Sequence, residues 1–145
     1  MFVENLKDTI NLGKKFAQEL NPKSIVLLQG PIGSGKTSFV KGVGEGLSIP
    51  DHITSPTFAL SHHYYSGIIP LFHIDLYRLE NSLSAKEFFI SEEEEAHQNE
   101  AILMIEWPEL IEPIIENFWK IEINYAKNYG RNYKIWDPKN SLTSL

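Results

Sequence analysis

A chain of 145 residues, 42% hydrophobic and 22% charged, has the size and composition of one soluble domain around one core. Its net charge of -6 gives no general attraction to phosphate backbones, and the absence of cysteine removes disulfides, thiol nucleophiles and thiolate metal sites. No apolar run nears the roughly 18 residues that cross a bilayer, and the acid-containing start is no signal peptide, so the expected location is cytoplasmic with no membrane partner.

The spacing of Ile10, Gly13, Ala17 and Leu20, with Leu12 and Phe16 alongside, predicts a helix over residues 5–20, capped by Asn5 or Asp8 and stopped at Asn21-Pro22. "SIVLLQ" (residues 24–29) is a short continuous apolar run, the pattern of a strand covered on both faces. A second helix is predicted over residues 36–47, with Phe39, Val43 and Leu47 on one stripe. Gly42, Gly44 and Gly46 weaken it, each by about 1 kcal/mol against Ala, and mark close packing or a frayed end. Alternation in residues 58–64 and an apolar run over 68–77, either side of Ser66-Gly67, predict an antiparallel hairpin interrupted at Pro70. A helix starts near Ser82 or Ser84, and Glu92–Glu95 form a charge run on a solvated helix face or loop. Residues 101–107 read as another buried strand, and residues 118–136 as a terminal hairpin around a Lys127–Gly130 turn. The domain spans 1–137, and 138–145 reads as a loose tail.

"GPIGSGKT" satisfies the phosphate-loop pattern G-x-x-x-x-G-K-S/T and lies between a buried strand and a helix, as the motif requires. Gly30, Gly33 and Gly35 let successive amides turn inward as a nest for phosphate oxygens, helped by the positive end of the following helix. Lys36 would reach the terminal phosphates, and Thr37 would give its hydroxyl to Mg²⁺. Such sites usually add an acid at the end of an apolar strand. Two acids qualify. Asp75 ends "LFHID" and is otherwise a strand-end cap or an ion-pair partner of Arg78; Glu106 ends "ILMIE" and is otherwise a solvated strand end. His73 and Asp75 alone are too few ligands for zinc, and none is expected. "TSPTF" (residues 54–58) offers hydroxyls to a phosphate or metal if it is a switch segment, and is otherwise an ordinary turn.

A Thr-containing first helix, "GPIGSGKTSF", "SPTF", "HIDLYRL" and "IEWPE", in that order, resemble the TsaE family, formerly called YjeE. The likeness spans about residues 8–135, and the companions of the loop give it its specificity. It implies a three-layer α/β fold of the P-loop NTPase type, with a mixed, partly antiparallel central sheet. It also implies a small ATPase, slow alone, that binds ATP and Mg²⁺ and supports the TsaB and TsaD subunits that make threonylcarbamoyladenosine in tRNA. The tRNA would be met only through that complex. By position, the resemblance assigns Gly30, Gly33, Ser34, Gly35, Lys36, Thr37 and Ser38 to the nucleotide loop. It assigns Thr37 and Glu106 to the metal, and Asp75, with Lys36 and Glu106, to hydrolysis. Thr57 falls in the switch-like segment, Trp107 contacts the nucleotide, and Thr9 and Arg131 lie near it. The family commonly has Asp-Leu where this chain has Pro31-Ile32, and Pro31 donates no N–H.

Three rival readings carry less support. Small-molecule kinases of this loop type need an acceptor site and usually several lid arginines, and only Arg78 and Arg131 exist here. No Asn-Lys-x-Asp motif reads guanine, which favours ATP over GTP. Direct tRNA binding would need Lys120, Lys127, Arg131 and Lys134 to act as one basic patch rather than a solvated hairpin face.

Overall fold

The computed structural model describes residues 1–145. In chain order the elements are β1 (Phe2–Val3), α1 (Leu6–Ala17), β2 (Ile25–Gln29), α2 (Lys36–Gly46), β3 (Ser61–Tyr64), β4 (Leu71–Asp75), α3 (Ser82–Gln98) and β5 (Ile102–Glu106), followed by β6 (Trp119–Tyr125), β7 (Arg131–Trp136) and β8 (Leu142–Thr143). All eight strands share one sheet of order β1-β7-β6-β2-β5-β4-β3, with β8 also on β7. The centre, β6-β2-β5-β4, is parallel; β3, β7, β1 and β8 join antiparallel. The fold is therefore the mixed, three-layer arrangement expected. No helix is long and apolar enough to cross a membrane.

Period-two alternation splits the buried strands between two cores. Val26, Leu28, Leu71 and Met104 face α1 and α2, joining Phe16, Phe39 and Val43. Leu27, Phe72, Ile74, Leu103 and Ile105 face α3, joining Ala85 and Phe89. The glycines of α2 are packing residues: a Cβ on Gly13 of α1 would lie 2.5 Å from the Phe39 carbonyl oxygen, and one on Gly42 would meet Ile10, so the two helices touch backbone to backbone.

The elements differ from the sequence expectation mainly at their ends. Asn5 caps α1, accepting from the Asp8 amide at 3.0 Å, and the helix ends three residues earlier than its apolar stripe suggested because Gln18–Leu20 bond back as single turns. The predicted strand at residues 58–64 starts only at Ser61. Phe58 is 87% exposed, and a turn closed by the Leu60 amide on the Pro56 carbonyl occupies its place. Asn81, rather than Ser82 or Ser84, caps α3, taking the Leu83 and Ser84 amides. The charge run is helical, but Glu92 is buried and bonded to His63 at 2.7 Å. Residues 138–145 are not a loose tail. Asp137 accepts the Lys139 and Ser141 amides, the turn returns the chain as β8 against β7, and Leu145 packs on the core.

Candidate functional site

Register builds the site. Leu28 of β2 lies opposite Glu106 of β5, and Glu106 lies opposite Asp75 of β4. The two carboxylates thus sit side by side at the carboxyl end of the parallel strands, level with the start of the loop that leaves β2, where α/β sheets place their ligands. Both are 3% exposed. Glu106 is no solvated strand end, and no ion pair joins Asp75 to Arg78, whose guanidinium lies over the Phe58 ring at 5.1 Å.

The loop between β2 and α2 owes its curl to Gly33 (φ +76°) and Gly35 (φ +103°). Gly35 is the N-cap of α2 and makes no side-chain cap, which leaves the first helical amides available to a ligand. The Lys36 ammonium donates to the carbonyls of Gly30 (2.7 Å) and Pro31 (2.9 Å) and lies 4.3 Å from the Trp107 ring centre. Burial holds its pKa below the ordinary 10.5, against the opposing pull of Glu106, Asp75 and Glu109. Phosphate charge beside it would push the pKa back up. The Thr37 hydroxyl donates to Glu106 Oε2 at 3.1 Å, and the Thr57 hydroxyl to Asp75 Oδ2 at 2.9 Å. Asp75 Oδ1 takes the Tyr77 amide at 2.8 Å, so it does cap the strand end while facing the cleft. Ser55 bonds Thr57 at 2.6 Å, which ties the 54–58 segment to Asp75.

These groups line a cleft of about 400 Å³ that collects Gly33, Gly35, Lys36, Thr37, Ser38, Thr57, Asp75, Glu106 and Trp107. Thr9, Ser34 and Arg131 lie across the loop in a second cavity of about 200 Å³, which shares Gly33, Gly35 and Ser38 with the first. Arg131 donates to the Gly33 carbonyl at 3.2 Å, and the Thr9 hydroxyl to the Asn5 carbonyl at 3.3 Å. Gly30 stands behind the loop; a Cβ there would lie 2.7 Å from both the Ile123 carbonyl oxygen and Ser34 Oγ. Of the hairpin cations, Lys120 is paired with Glu112 at 2.8 Å and Arg131 with loop carbonyls, so the four basic residues do not form one free patch.

The donors suit a phosphate chain with a hard cation. Within the loop the buried Ser34 hydroxyl has no partner, and the side chains of Thr37, Asp75 and Glu106 offer the cleft only oxygen. Sequence reasoning did not find Tyr77, whose ring lies 4.8 Å from that of Trp107, or Tyr125, whose hydroxyl donates to the Ile32 carbonyl. It also missed Tyr133, buried under Gly35 with its hydroxyl unpartnered. It weighed His73 only as half of a zinc pair. The available signal was the alternation that puts His73 on the same face as Asp75.

The pattern of the family described as "Threonylcarbamoyl adenosine biosynthesis protein TsaE" matches residues 3–133. Similar proteins include the tRNA threonylcarbamoyladenosine biosynthesis protein TsaE of Synechocystis, 43% identical over 112 residues (74% of this chain, 69% of the relative). The protein of the same name in Nostoc is 49% identical over 80 residues (55% and 49%), and that of Bacillus subtilis is 35% identical over 111 residues (74% and 65%). The matched stretches thus span about half to two thirds of these relatives' own lengths. The crystal structure of Bacillus subtilis YdiB superposes with a TM-score of 0.75 at 28% identity, covering 92% of this chain and 80% of that one.

Proposed function

Because this chain belongs to the TsaE family, we propose that it is an ATP-binding, Mg²⁺-dependent ATPase that serves threonylcarbamoyladenosine formation in tRNA with TsaB and TsaD, in the cytoplasm. The observation that carries the reading is the meeting, in one cleft, of Lys36 and Thr37 from the loop with Asp75 and Glu106 from adjacent strand ends.

Lys36 and the amides at the start of α2 hold the phosphates and stabilise charge that grows on them as the γ-phosphoryl group leaves. Thr37 and Glu106 would hold Mg²⁺, which would supply neutralisation of phosphate charge when bound. Asp75, with Thr57, orients the water whose oxygen bonds to the γ-phosphorus as the bond to the ADP oxygen breaks. Trp107 and Tyr77 wall the cleft, and Arg131 with Thr9 faces the second cavity, across the loop. No arginine lies in the main cleft. An arginine finger is worth about 10³ to 10⁵ in rate, so slow hydrolysis alone and faster turnover on the partner complex are the expected behaviour.

The test is steady-state ATP hydrolysis and tRNA modification with and without TsaB–TsaD. Partner-stimulated turnover that collapses in Glu106→Ala is expected. Wild-type turnover in that variant, or phosphate transfer to a metabolite in place of water, defeats the reading.

A further inference from the structure

β4 is buried along its whole length, yet its middle residue is a histidine. His73 is 0% exposed, and its Nε2 lies 2.6 Å from Glu106 Oε2. A carboxylate only accepts, so Nε2 carries the proton in this contact. The other ring nitrogen, Nδ1, is buried with no partner. Packing does not account for such a residue. An apolar side chain there would fill the core without an orphaned polar atom, which is costly to bury.

The contact has a direction. Leu71, His73 and Asp75 share one face of β4, and Met104 and Glu106 share the same face of β5, beneath α2. His73 pairs in register with Met104, so its ring reaches diagonally along β5 to Glu106. Glu106 in turn accepts the Thr37 hydroxyl at 3.1 Å. A hydroxyl has one hydrogen and two lone pairs. With its hydrogen committed to Glu106, Thr37 presents lone pairs to the cleft. His73, Glu106 and Thr37 thus form a chain of hydrogen bonds that runs from the sheet interior to the cleft wall.

We propose that His73 is a positioning residue: its Nε2–H fixes the Glu106 carboxylate, and through it the Thr37 hydroxyl, in the orientation that receives the nucleotide-bound magnesium. This rests on the nucleotide–magnesium reading above. The ring itself touches neither nucleotide nor metal.

Calorimetry with the non-hydrolysable β,γ-imido analogue of ATP tests it, in EDTA and in a MgCl₂ series. The readout is the factor by which magnesium tightens nucleotide binding. His73→Phe keeps the ring and loses the donor; His73→Gln carries an amide N–H at similar reach. With outer partners of metal ligands worth about 10- to 100-fold in metal affinity, His73→Phe lowers the magnesium factor by that much, and His73→Gln stays within about threefold of wild type. Magnesium-free affinity is expected to stay unchanged in both, and it certifies a folded loop. Should Phe not fold, the smaller His73→Leu makes the same comparison. A wild-type factor in the donor-less variant overturns the proposal, as does an equal loss in Phe and Gln. A wild-type protein whose nucleotide binding ignores magnesium instead overturns the nucleotide–magnesium reading itself.

Discussion

Replacing Asp75 by Asn separates what its carboxylate does for the fold from what its charge does in the cleft. Asp75 accepts two hydrogen bonds, from the Tyr77 amide at 2.8 Å and the Thr57 hydroxyl at 2.9 Å. In Asp75→Asn the amide oxygen still takes the Tyr77 N–H, and the new NH₂ donates to the Thr57 hydroxyl, which can accept once it rotates. The geometry survives, and the weaker neutral hydrogen bonds are offset by relief of the repulsion between the adjacent buried carboxylates of Asp75 and Glu106, so stability changes by less than about 1 kcal/mol. Asp75→Ala strands both donors. Hydrogen bonds to a charged group are worth about 1.5–3 kcal/mol each, and cleft water re-solvates part of the loss, so about 3 kcal/mol is expected. At about 2–4 °C per kcal/mol that lowers the melting temperature by about 6–12 °C. Turnover should respond differently. An orienting or proton-accepting carboxylate contributes about 10²–10⁴ in rate, so Asp75→Asn melts like the wild type yet loses at least about 10² in ATPase rate measured with the partner complex. Wild-type turnover in a stably folded Asp75→Asn would refute the assignment of Asp75 to hydrolysis. A melting temperature that falls as far as in Asp75→Ala would refute the hydrogen-bond argument.

Two further outcomes follow from the structure. Burial raises the Tyr133 pKa above the ordinary 10.0. The folded state then keeps a proton that the unfolded state releases, so this contribution is complete below pH 10.0 and fades as pH rises through the folded value. Urea unfolding across alkaline pH should show a smaller fade in Tyr133→Phe than in wild type, the remainder coming from groups such as Tyr65, whose pKa is raised as well. Deleting residues 138–145 removes β8 and the packing of Leu145, costing about 1–2 kcal/mol. Calorimetric melting should fall by about 2–8 °C, and an unchanged melting temperature would return the segment to the status of a loose tail.

The central layers were legible because their signals are local. A continuous apolar run bounded by turn residues identifies β2 and β5 without knowledge of their neighbours, and Asn5 ahead of an amphipathic stripe marks α1. The two-residue strands β1 and β8 have no period to read; backbone pairing with β7 alone defines them. Phe58 continued an alternating pattern on paper, but the bond from Thr57 to Asp75 and the turn at Pro56 take it out of the sheet. Within the site, the loop motif and the two strand-end acids could be picked out one by one. The His73–Glu106–Thr37 chain could not, because it depends on a register between β4 and β5 that no local pattern encodes. Glu92 is a similar case: inside a run of four acids nothing distinguishes the one that is buried and hydrogen-bonded to His63.

Pro31 lacks the amide that another residue would contribute, yet its carbonyl accepts both Lys36 Nζ at 2.9 Å and the Ser34 amide at 3.1 Å. With Arg131 on Gly33 and Tyr125 on Ile32, most of the loop is held by bonds to the rest of the protein. Ordering a residue's backbone costs about 1–2 kcal/mol, and here that cost is incurred when the chain folds. The consequence is kinetic. On the nucleotide reading proposed above, a ligand's arrival would need no loop-ordering event, only the transfer of the Lys36 ammonium from two carbonyls to a phosphate, so encounter and capture would be a single step.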